Sequence, residues 1–331
     1  MAKNLNAMVL AAGYGTRLLP FTKHLPKPLF PILGRPIIWY QCGLLLESGV
    51  ETIVVNVHHL SGLLEKYFSE GSLENVKPVI SHEAEILGTG GGVKKAQSYL
   101  SDGVSIVING DTLLDVDLPL LIDRHEKNGA EASLLVSLSS DVPDEHAVFI
   151  DETGRIKRIV GHGAPVDNSL TRCTFMGVHV LNPGVFDFLP DNGCIIRNCY
   201  THMLDRGLIL KGELLPSRFD DIGTPGALLK ANSNMLSSGG NFIYRKFAGH
   251  NKCLNGGMLS KQVDGKINFL GAGVSVDPGA LIGPGVVLEG QNIIGAGANI
   301  SRSLVLKNEN IKPGETVENS IAGFGYRVTA V

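Results

Sequence analysis

The chain has 331 residues, 44% hydrophobic and 18% charged, with a formal net charge of −3 and a pI near 6.4. It is too apolar and too nearly neutral for a disordered chain, and too acidic for one that lives on nucleic acid or anionic lipid. Five cysteines with no CxxC pair suit a reducing compartment and give no zinc framework. No apolar run reaches the length of a membrane span, and Gly13 and Arg17 break the N-terminal apolar stretch too early for a signal peptide. The expectation is a cytoplasmic protein with no membrane and no nucleic-acid partner.

Apolar runs of strand type alternate with helical stretches in the first part of the chain. Ala7–Ala11, Thr52–Val57, Val76–Ile80, Val104–Ile108 and Ala132–Val136 read as strands. Pro36–Ser48 reads as a helix, with proline in its first turn and Gly49 past its end; Leu60–Phe68, Val93–Leu100 and Leu118–Lys127 are the next. Such alternation implies an α/β fold on a mostly parallel sheet covered on both faces. Ala147–Val160 reads as a hairpin turning at Asp151–Gly154, and Thr174–Leu181 as a further strand. Thr224–Leu236 reads as a last helix, capped by Thr224 with Pro225 behind it.

Glycine then becomes dense: 24 of the 41 lie in residues 1–238 and 17 in the 93 that follow. The shift divides the chain into residues 1–238, a linker at 239–262 and a C-terminal region at 263–331. In that region Leu270, Val276, Ile282, Leu288, Ile294, Ile300 and Leu306 recur every six residues. A hexad repeat with one inward aliphatic per face is the pattern of a left-handed parallel β-helix, here about two coils long.

The chemistry concentrates where a buried strand, Met8-Val9-Leu10-Ala11-Ala12, runs into Gly13-Tyr14-Gly15. Open α/β sheets bind ligands at the carboxyl ends of their strands, and glycine there lets backbone N–H groups reach phosphate oxygens. Leu18 stands where a dinucleotide fingerprint needs its third glycine, and no Walker Gly-Lys-Ser/Thr occurs. Arg17 follows the turn directly. Lys27 sits between Pro26 and Pro28, which are expected to hold its backbone extended and out of a helix. Two cations beside a glycine turn suit phosphate neutralisation. Two acidic sites, Asp111 at the strand end after Val107–Gly110 and the pair Asp220-Asp221 before the helix that opens at Thr224-Pro225, suit Mg²⁺, which takes few protein ligands and many from water and phosphate.

The run Gly13-x-Gly15-Thr16-Arg17-Leu18-x-Pro20-x-Thr22, followed by Pro26-Lys27-Pro28-Leu29, resembles the signature of the sugar-1-phosphate nucleotidyltransferases, or NDP-sugar pyrophosphorylases. The resemblance extends over nearly the whole chain. It implies a Rossmann-like catalytic domain that joins an NTP to a sugar 1-phosphate with Mg²⁺, releasing pyrophosphate. It assigns Arg17 and Lys27 to the nucleotide phosphates and Asp111 and Asp221 to the metal. Leu10, Ala11, Ala12, Gly13, Gly15, Thr16, His82, Leu87, Gly88 and Asn109 fall to the nucleotide, and Gly177 to the sugar. Ile86–Gly92 is expected as a glycine loop against the nucleobase and ribose, with His82 and Glu83 near a base edge.

One departure stands out. The Glu-Lys-Pro that many relatives use to grip the sugar phosphate is absent, leaving Arg158, His162 and Arg172 as substitutes by position alone. His58-His59 reads as packed or at the substrate's edge. Thr89–Gly92 and Asn56–Leu60 resemble the muramate uridylyltransferase branch, whereas the β-helical tail resembles the mannose- and glucose-1-phosphate enzymes. A non-catalytic subunit of the same fold is the alternative, but such subunits often lose the signature cations or aspartates, and all four are present. No histidine follows His250, so the β-helix lacks what acyltransferases of that shape usually use. Its expected role is self-association into a homo-oligomer.

Overall fold

The computed structural model describes residues 5–71, 77–237, 257–261 and 267–330. Two compact units divide the chain: Met1–Gly13 with Leu44–Phe219, and Tyr14–Gly43 with Asp220–Val331. The signature segment thus groups with the C-terminal region rather than with the sheet that precedes it in sequence.

In the first unit the apolar runs form one ten-stranded sheet. Leu5–Leu10 lies between Thr52–Val57 and Val104–Asn109, parallel to both, and Val79–His82 extends the parallel part beyond Thr52–Val57. Residues of the three inner strands, Leu5–Leu10, Thr52–Val57 and Val104–Asn109, are buried on both faces, as continuous apolar runs require, whereas those of the edge strand Val79–His82 are half-buried or exposed. The expected strand at Val76–Ile80 thus begins later, at Val79; its first residue lies outside the described ones. Beyond Val104–Asn109 the sheet turns antiparallel through the long strand Thr171–Leu181. That strand also pairs Ala132–Leu138 and Ala147–Ile150, and the latter carries the expected hairpin partner Ile156–Ile159.

Helices stand close to their sequence-read positions. Ile37–Glu47 ends before Gly49 (φ 83°), and Leu118–Asn128 is capped by Asp117, whose carboxylate accepts from Leu120 N at 2.9 Å. Pro225–Ser237 starts as expected, with Thr224 Oγ1 accepting from Ala227 N at 3.2 Å. The glycine segment differs. Gly88–Lys95 is helical, so Gly88 and Gly90–Gly92 lie inside a helix rather than in a loop before one. The segment that follows the long strand supplies the reason: Gly90 N donates to Gly193 O at 2.8 Å and Gly193 N to Leu87 O at 2.8 Å. A Cβ at Gly90 or Gly91 would lie 2.9 Å from Pro190 or 2.5 Å from the carbonyl oxygen of Asp191.

In the second unit the hexads close into a parallel β-helix. Phe269 pairs with Val287, Ser275 with Ile293 and Leu281 with Asn299, each eighteen residues on. The next coil is one residue shorter: Val287 pairs with Leu304 and Asn299 with Thr316, seventeen on. Three coils are therefore present among the described residues, not two, because the third breaks the strict hexad. The short coil also moves the register. Val305, not Leu306, joins Leu288, Ile294 and Ile300 in the buried column. One face is closed at both ends by antiparallel strands, Met258–Lys261 on Ile267–Leu270 and Tyr326–Thr329 on Ser320–Gly323. Of the expected linker at 239–262 only residues 257–261 are described, and they carry the first of these closing strands. No described helix is long and apolar enough to cross a membrane.

Candidate active site

In the first unit a chain of polar bonds organises the end of the Leu5–Leu10 strand. Ala11 N donates to Asn56 Oδ1 at 2.7 Å, Asn56 Nδ2 to Glu83 Oε1 at 2.7 Å, and Leu87 N to Glu83 Oε2 at 2.9 Å. Asn56 and Glu83 are buried, so each bond forms away from water, where an unmet partner is costly. A Cβ at Gly92 would lie 2.8 Å from Glu83 Oε1 and 2.9 Å from Asn56 Nδ2, so that glycine makes room for the relay. Glu83 is thereby a framework group, with both oxygens engaged, rather than a reader of a base edge. His82 is exposed, 3.6 Å from Glu65 Oε1, and its carbonyl accepts from Lys95. His58 Nδ1 lies 2.8 Å from the Glu83 carbonyl, a packed role.

The same strand end meets a second turn. Gly110 N donates to Leu10 O at 2.8 Å, and a Cβ at Gly110 would stand 2.2 Å from that oxygen. Only glycine lets the chain at position 110 cross so closely over Leu10 and Ala11, and the half-buried Asp111 follows that crossing directly. Gly177 (φ 79°) sits in a register break of the Thr171–Leu181 strand. The space its side chain would need holds Thr112 Oγ1, at 2.7 Å, and Asn109 Cβ, at 3.3 Å. Nearby, His179 bonds Tyr200 OH at 2.9 Å, and burial holds its imidazole neutral with a pKa of about 3. Leu10, Ala11, Leu87, Gly88, Asn109 and Gly177 are thus each held by hydrogen bonds or close packing within the first unit, with Ala12 and Asp111 next to them in sequence.

The substitutes for the missing Glu-Lys-Pro are engaged within the same unit. His162 Nε2 lies 2.8 Å from Asp205 Oδ1. Arg172 pairs with Asp144 at 2.7 Å and lies over the Phe149 ring. Arg158 donates to Ala164 O at 3.3 Å and, like Arg172, stands opposite Phe149 in the sheet.

In the second unit the signature segment folds as three short turns. Gly15 is left-handed (φ 63°), and Thr22 Oγ1 donates to its carbonyl at 3.2 Å. The nearest atoms to a Cβ there would be Thr22 Cγ2 at 2.9 Å and Lys27 Cβ at 3.4 Å, so Gly15, Thr22 and Lys27 are packed together. Pro26 is extended, as expected, but Lys27–Leu29 is a 3-10 turn closed by Phe30 N to Lys27 O at 3.1 Å. The flanking prolines therefore stiffen Lys27 without keeping it extended: Pro28 occupies a first-turn position that needs no N–H. Arg17 is exposed, with its guanidinium laid on Gly223, where a Cβ would come within 2.8–2.9 Å of three of its atoms. That glycine brings Arg17 to the Asp221-Ile222-Gly223-Thr224 segment. Asp221 is exposed, whereas Asp220 accepts from Asn234 Nδ2 at 3.0 Å. The far end of the segment is locked by Asn232, whose Oδ1 accepts from Leu33 N at 3.1 Å, and by the buried Glu289, which accepts from Gly34 N at 3.2 Å.

The first unit thus offers a strand end of small residues, Ala11-Ala12-Gly13, and the aspartate Asp111, while the second offers the Gly15 turn, the cations Arg17 and Lys27 and the aspartate Asp221; each set holds residue types suited to phosphates. The family model for nucleotidyl transferases matches residues 6–238. The chain belongs to that family. It is a nucleotidyltransferase, and its similarity to known members runs through both units. Mannose-1-phosphate guanyltransferase of Pichia angusta is 32% identical, over 98% of this chain and 87% of that protein. UTP–glucose-1-phosphate uridylyltransferase of Synechocystis is 28% identical, over 98% and 88%. Among solved structures, the UTP-bound UGPase of Acinetobacter baumannii superposes with a TM-score of 0.60 at 22% identity, over 70% of this chain and 93% of that one. HddC of Yersinia pseudotuberculosis gives 0.57 at 23%, over 70% and 99%. These last two bear on the fold alone.

Asn56 was the residue that sequence reasoning left without a role. Its signal was present: an amide as the fifth residue of the buried strand Thr52–Val57 needs a partner.

Proposed function

We propose that this nucleotidyltransferase couples an NTP to a sugar 1-phosphate, forming an NDP-sugar and pyrophosphate, with residues 1–238 supplying the chemistry. The observation that carries the reading is the exposed Gly13 turn, where a Cβ would meet nothing within 4 Å, followed by Arg17 and Lys27. The sugar phosphate is already an anionic nucleophile. Its oxygen attacks the α-phosphorus in line with the departing pyrophosphate, and no general base is needed. The protein's work is then to position two anions and neutralise the charge that builds between them. Leu10–Gly13, Gly15 and Thr16 present backbone to the nucleotide, Asn109, Leu87 and Gly88 flank it, and Arg17 and Lys27 meet its phosphates. Gly177 faces the sugar. His82, exposed at the end of its strand, completes the nucleotide set.

Asp111 and Asp221 are hard oxygen donors, half-buried and exposed, and two carboxylates fit Mg²⁺ with its remaining positions left to water and phosphate. When bound, the ion supplies charge neutralisation at the phosphate oxygens. The Pichia relative makes GTP with mannose 1-phosphate the first pair to assay. The β-helix holds a homo-oligomer, so truncation near Phe242 lowers the number of subunits per particle found by light scattering; an unchanged number overturns that role.

A pyrophosphate-release screen of four NTPs against a panel of sugar 1-phosphates tests the reaction. Release that needs both substrates is expected, and no release with any pair would overturn it. Arg17→Ala should lower turnover more than it raises the KM for sugar phosphate, because the charge it meets grows in the transition state.

A further inference from the structure

The β-helix ends in a hairpin whose turn is costly in itself. Ser320–Gly323 and Tyr326–Thr329 pair antiparallel, Gly323 opposite Tyr326, leaving Phe324-Gly325 as a two-residue turn. Both have positive φ, 53° and 80°. Turns of this type take Asn-Gly or Gly-Gly readily, and a bulky aromatic at the first place is out of character. Strain of this kind persists where the surroundings fix it. Gly325 N donates to Glu309 Oε2 at 2.9 Å. Arg327 bonds Glu309 at 2.6 Å, Glu315 at 2.8 Å and the Asn310 carbonyl at 3.1 Å. This lattice anchors the hairpin to the coil beneath it.

The anchored tip reaches the signature segment. The Phe324 ring stacks on His24 with centroids 4.9 Å apart and planes at 23°, and Tyr326 lies 6.0 Å from the same ring. Phe324 is 41% exposed, so burial in the β-helix does not account for its place. His24 closes the Phe21–Lys23 turn through its N–H to Phe21 O at 3.0 Å, and only Leu25 and the extended Pro26 separate it from Lys27. We propose that this hairpin is a brace for the signature segment: Phe324 and Tyr326 fix His24, and through the stiff Pro26 they set where the Lys27 ammonium stands. His24 and Phe324 are positioning residues. The inference rests on the reading of Lys27 as a phosphate-binding cation, and it gives the β-helix a part in turnover beyond assembly.

Phe324→Gly and Phe324→Asn separate a brace from a cap, since both residues accept positive φ and keep the hairpin while removing the ring. Expected for the full-length protein is an unchanged or raised Tm, with faster amide exchange confined to peptides spanning residues 14–30. Pyrophosphate release from GTP and mannose 1-phosphate should show kcat lowered about tenfold or more with KM for the sugar phosphate nearly constant. His24→Ala should give the same loss, the double variant no more than either single one, and Phe324→Tyr should rescue. Unaltered exchange at residues 14–30 in both Phe324 variants would overturn the brace, whatever the activity. Lys27→Met keeps the two readings apart. If it is inactive while Phe324→Gly keeps full kcat, the brace fails and the phosphate role stands; if it is fully active, the phosphate role itself fails.

Discussion

Two glycine-rich segments of this chain read alike in sequence and differ in what surrounds them. At Gly13 a side chain would project into open space, and at Gly15 the backbone is left-handed in a turn exposed on its outer side. At Gly88 and Gly90–Gly92 every hypothetical Cβ meets protein within 3 Å: Gly193, Pro190, Asp191 and Glu83 in turn. The first segment leaves backbone uncovered, so a ligand can approach it. The second uses its missing side chains to let the Pro190–Ile195 segment dock and the Asn56–Glu83 bond form. Glycine content alone does not separate a surface for substrate from a surface for packing; what lies opposite each Cα does.

The largest effect expected of this contrast is at the cation beside the open turn. Lys27→Met should lower turnover by about two to three orders of magnitude, the scale seen when one preorganised charge-stabilising donor is lost, with Tm little changed because Lys27 is only half-buried. Asp111→Asn should behave likewise at saturating Mg²⁺. Near-normal rates in either variant, measured by pyrophosphate release, would mean that the open turn faces something other than the reacting phosphates.

A paired alanine experiment cuts the contrast directly. Gly13→Ala has room and should leave Tm within a degree or two, yet reduce nucleotide affinity by tenfold or more if phosphates approach that backbone. Gly91→Ala should do the reverse. Alanine in a helix gains about 1 kcal/mol over glycine, but a Cβ 2.5 Å from the Asp191 carbonyl must displace backbone. Overpacking of that kind costs roughly 1–3 kcal/mol or more. The gain offsets part of that cost, and the net expectation is a loss of about 1 kcal/mol, up to roughly 2, read by thermal denaturation. Equal Tm values for the two variants would erase the distinction.

Local patterns made the frame legible beforehand. The strand at Leu5–Leu10, the helix starts at Asp117 and Thr224 and the hexads from Leu270 to Ile300 are all periodicities or caps within a few residues. What stayed hidden depends on partners distant in sequence. Glu83 is a framework carboxylate because Asn56 and Leu87 N flank it. Gly88–Gly92 is helical because a segment a hundred residues on, Pro190–Ile195, packs against it. The third coil escaped because the coil before it is one residue short, which moves Val305 into the place that strict counting gives to Leu306. At the site, Arg17 and Lys27 were legible as residue types; the glycine that seats Arg17, Gly223, was legible only as part of a motif.

Glu289 is a third case, a carboxyl group already held inside the protein by the N–H of a glycine turn. It accepts from Gly34 N, and burial pushes its carboxyl up to about 8, with the Gly34 bond and Lys307 opposing. The folded chain therefore retains a proton that the unfolded chain releases near pH 4.5. Stability from this group is full below that pH and is lost as pH rises through about 8. The slope is about 1.4 kcal/mol per unit in between. From pH 6 to pH 8 the wild type should thus lose about 2 kcal/mol relative to Glu289→Gln, seen as a wild-type Tm that falls against the variant's as pH rises. Parallel curves would show that the carboxylate is already ionised and solvated.

The smallest expected effect concerns the relay that the packed glycines protect, and it has a specific rescue. Glu83 accepts twice, from Asn56 Nδ2 and Leu87 N, while Asn56 Oδ1 accepts from Ala11 N. A glutamine in place of Glu83 has one oxygen. If it serves Leu87 N, its amide nitrogen faces the Asn56 nitrogen; flipping Asn56 then turns that nitrogen on Ala11 N. No arrangement of the two side-chain amides meets all the donors, so Glu83→Gln should cost about 1–2 kcal/mol and weaken nucleotide binding modestly through the displaced Ala11–Ala12 backbone. Placing the carboxylate at the other end removes the conflict. In the double variant Asn56→Asp with Glu83→Gln, the aspartate accepts from Ala11 N and from the glutamine amide, whose oxygen remains for Leu87 N. The buried charge is unchanged and every donor is met. Denaturation midpoints should return most of the way to wild type, whereas Asn56→Asp alone sets two carboxylates against each other and should be worse than either. Additive losses in the double variant would show that the three bonds act separately rather than as one relay.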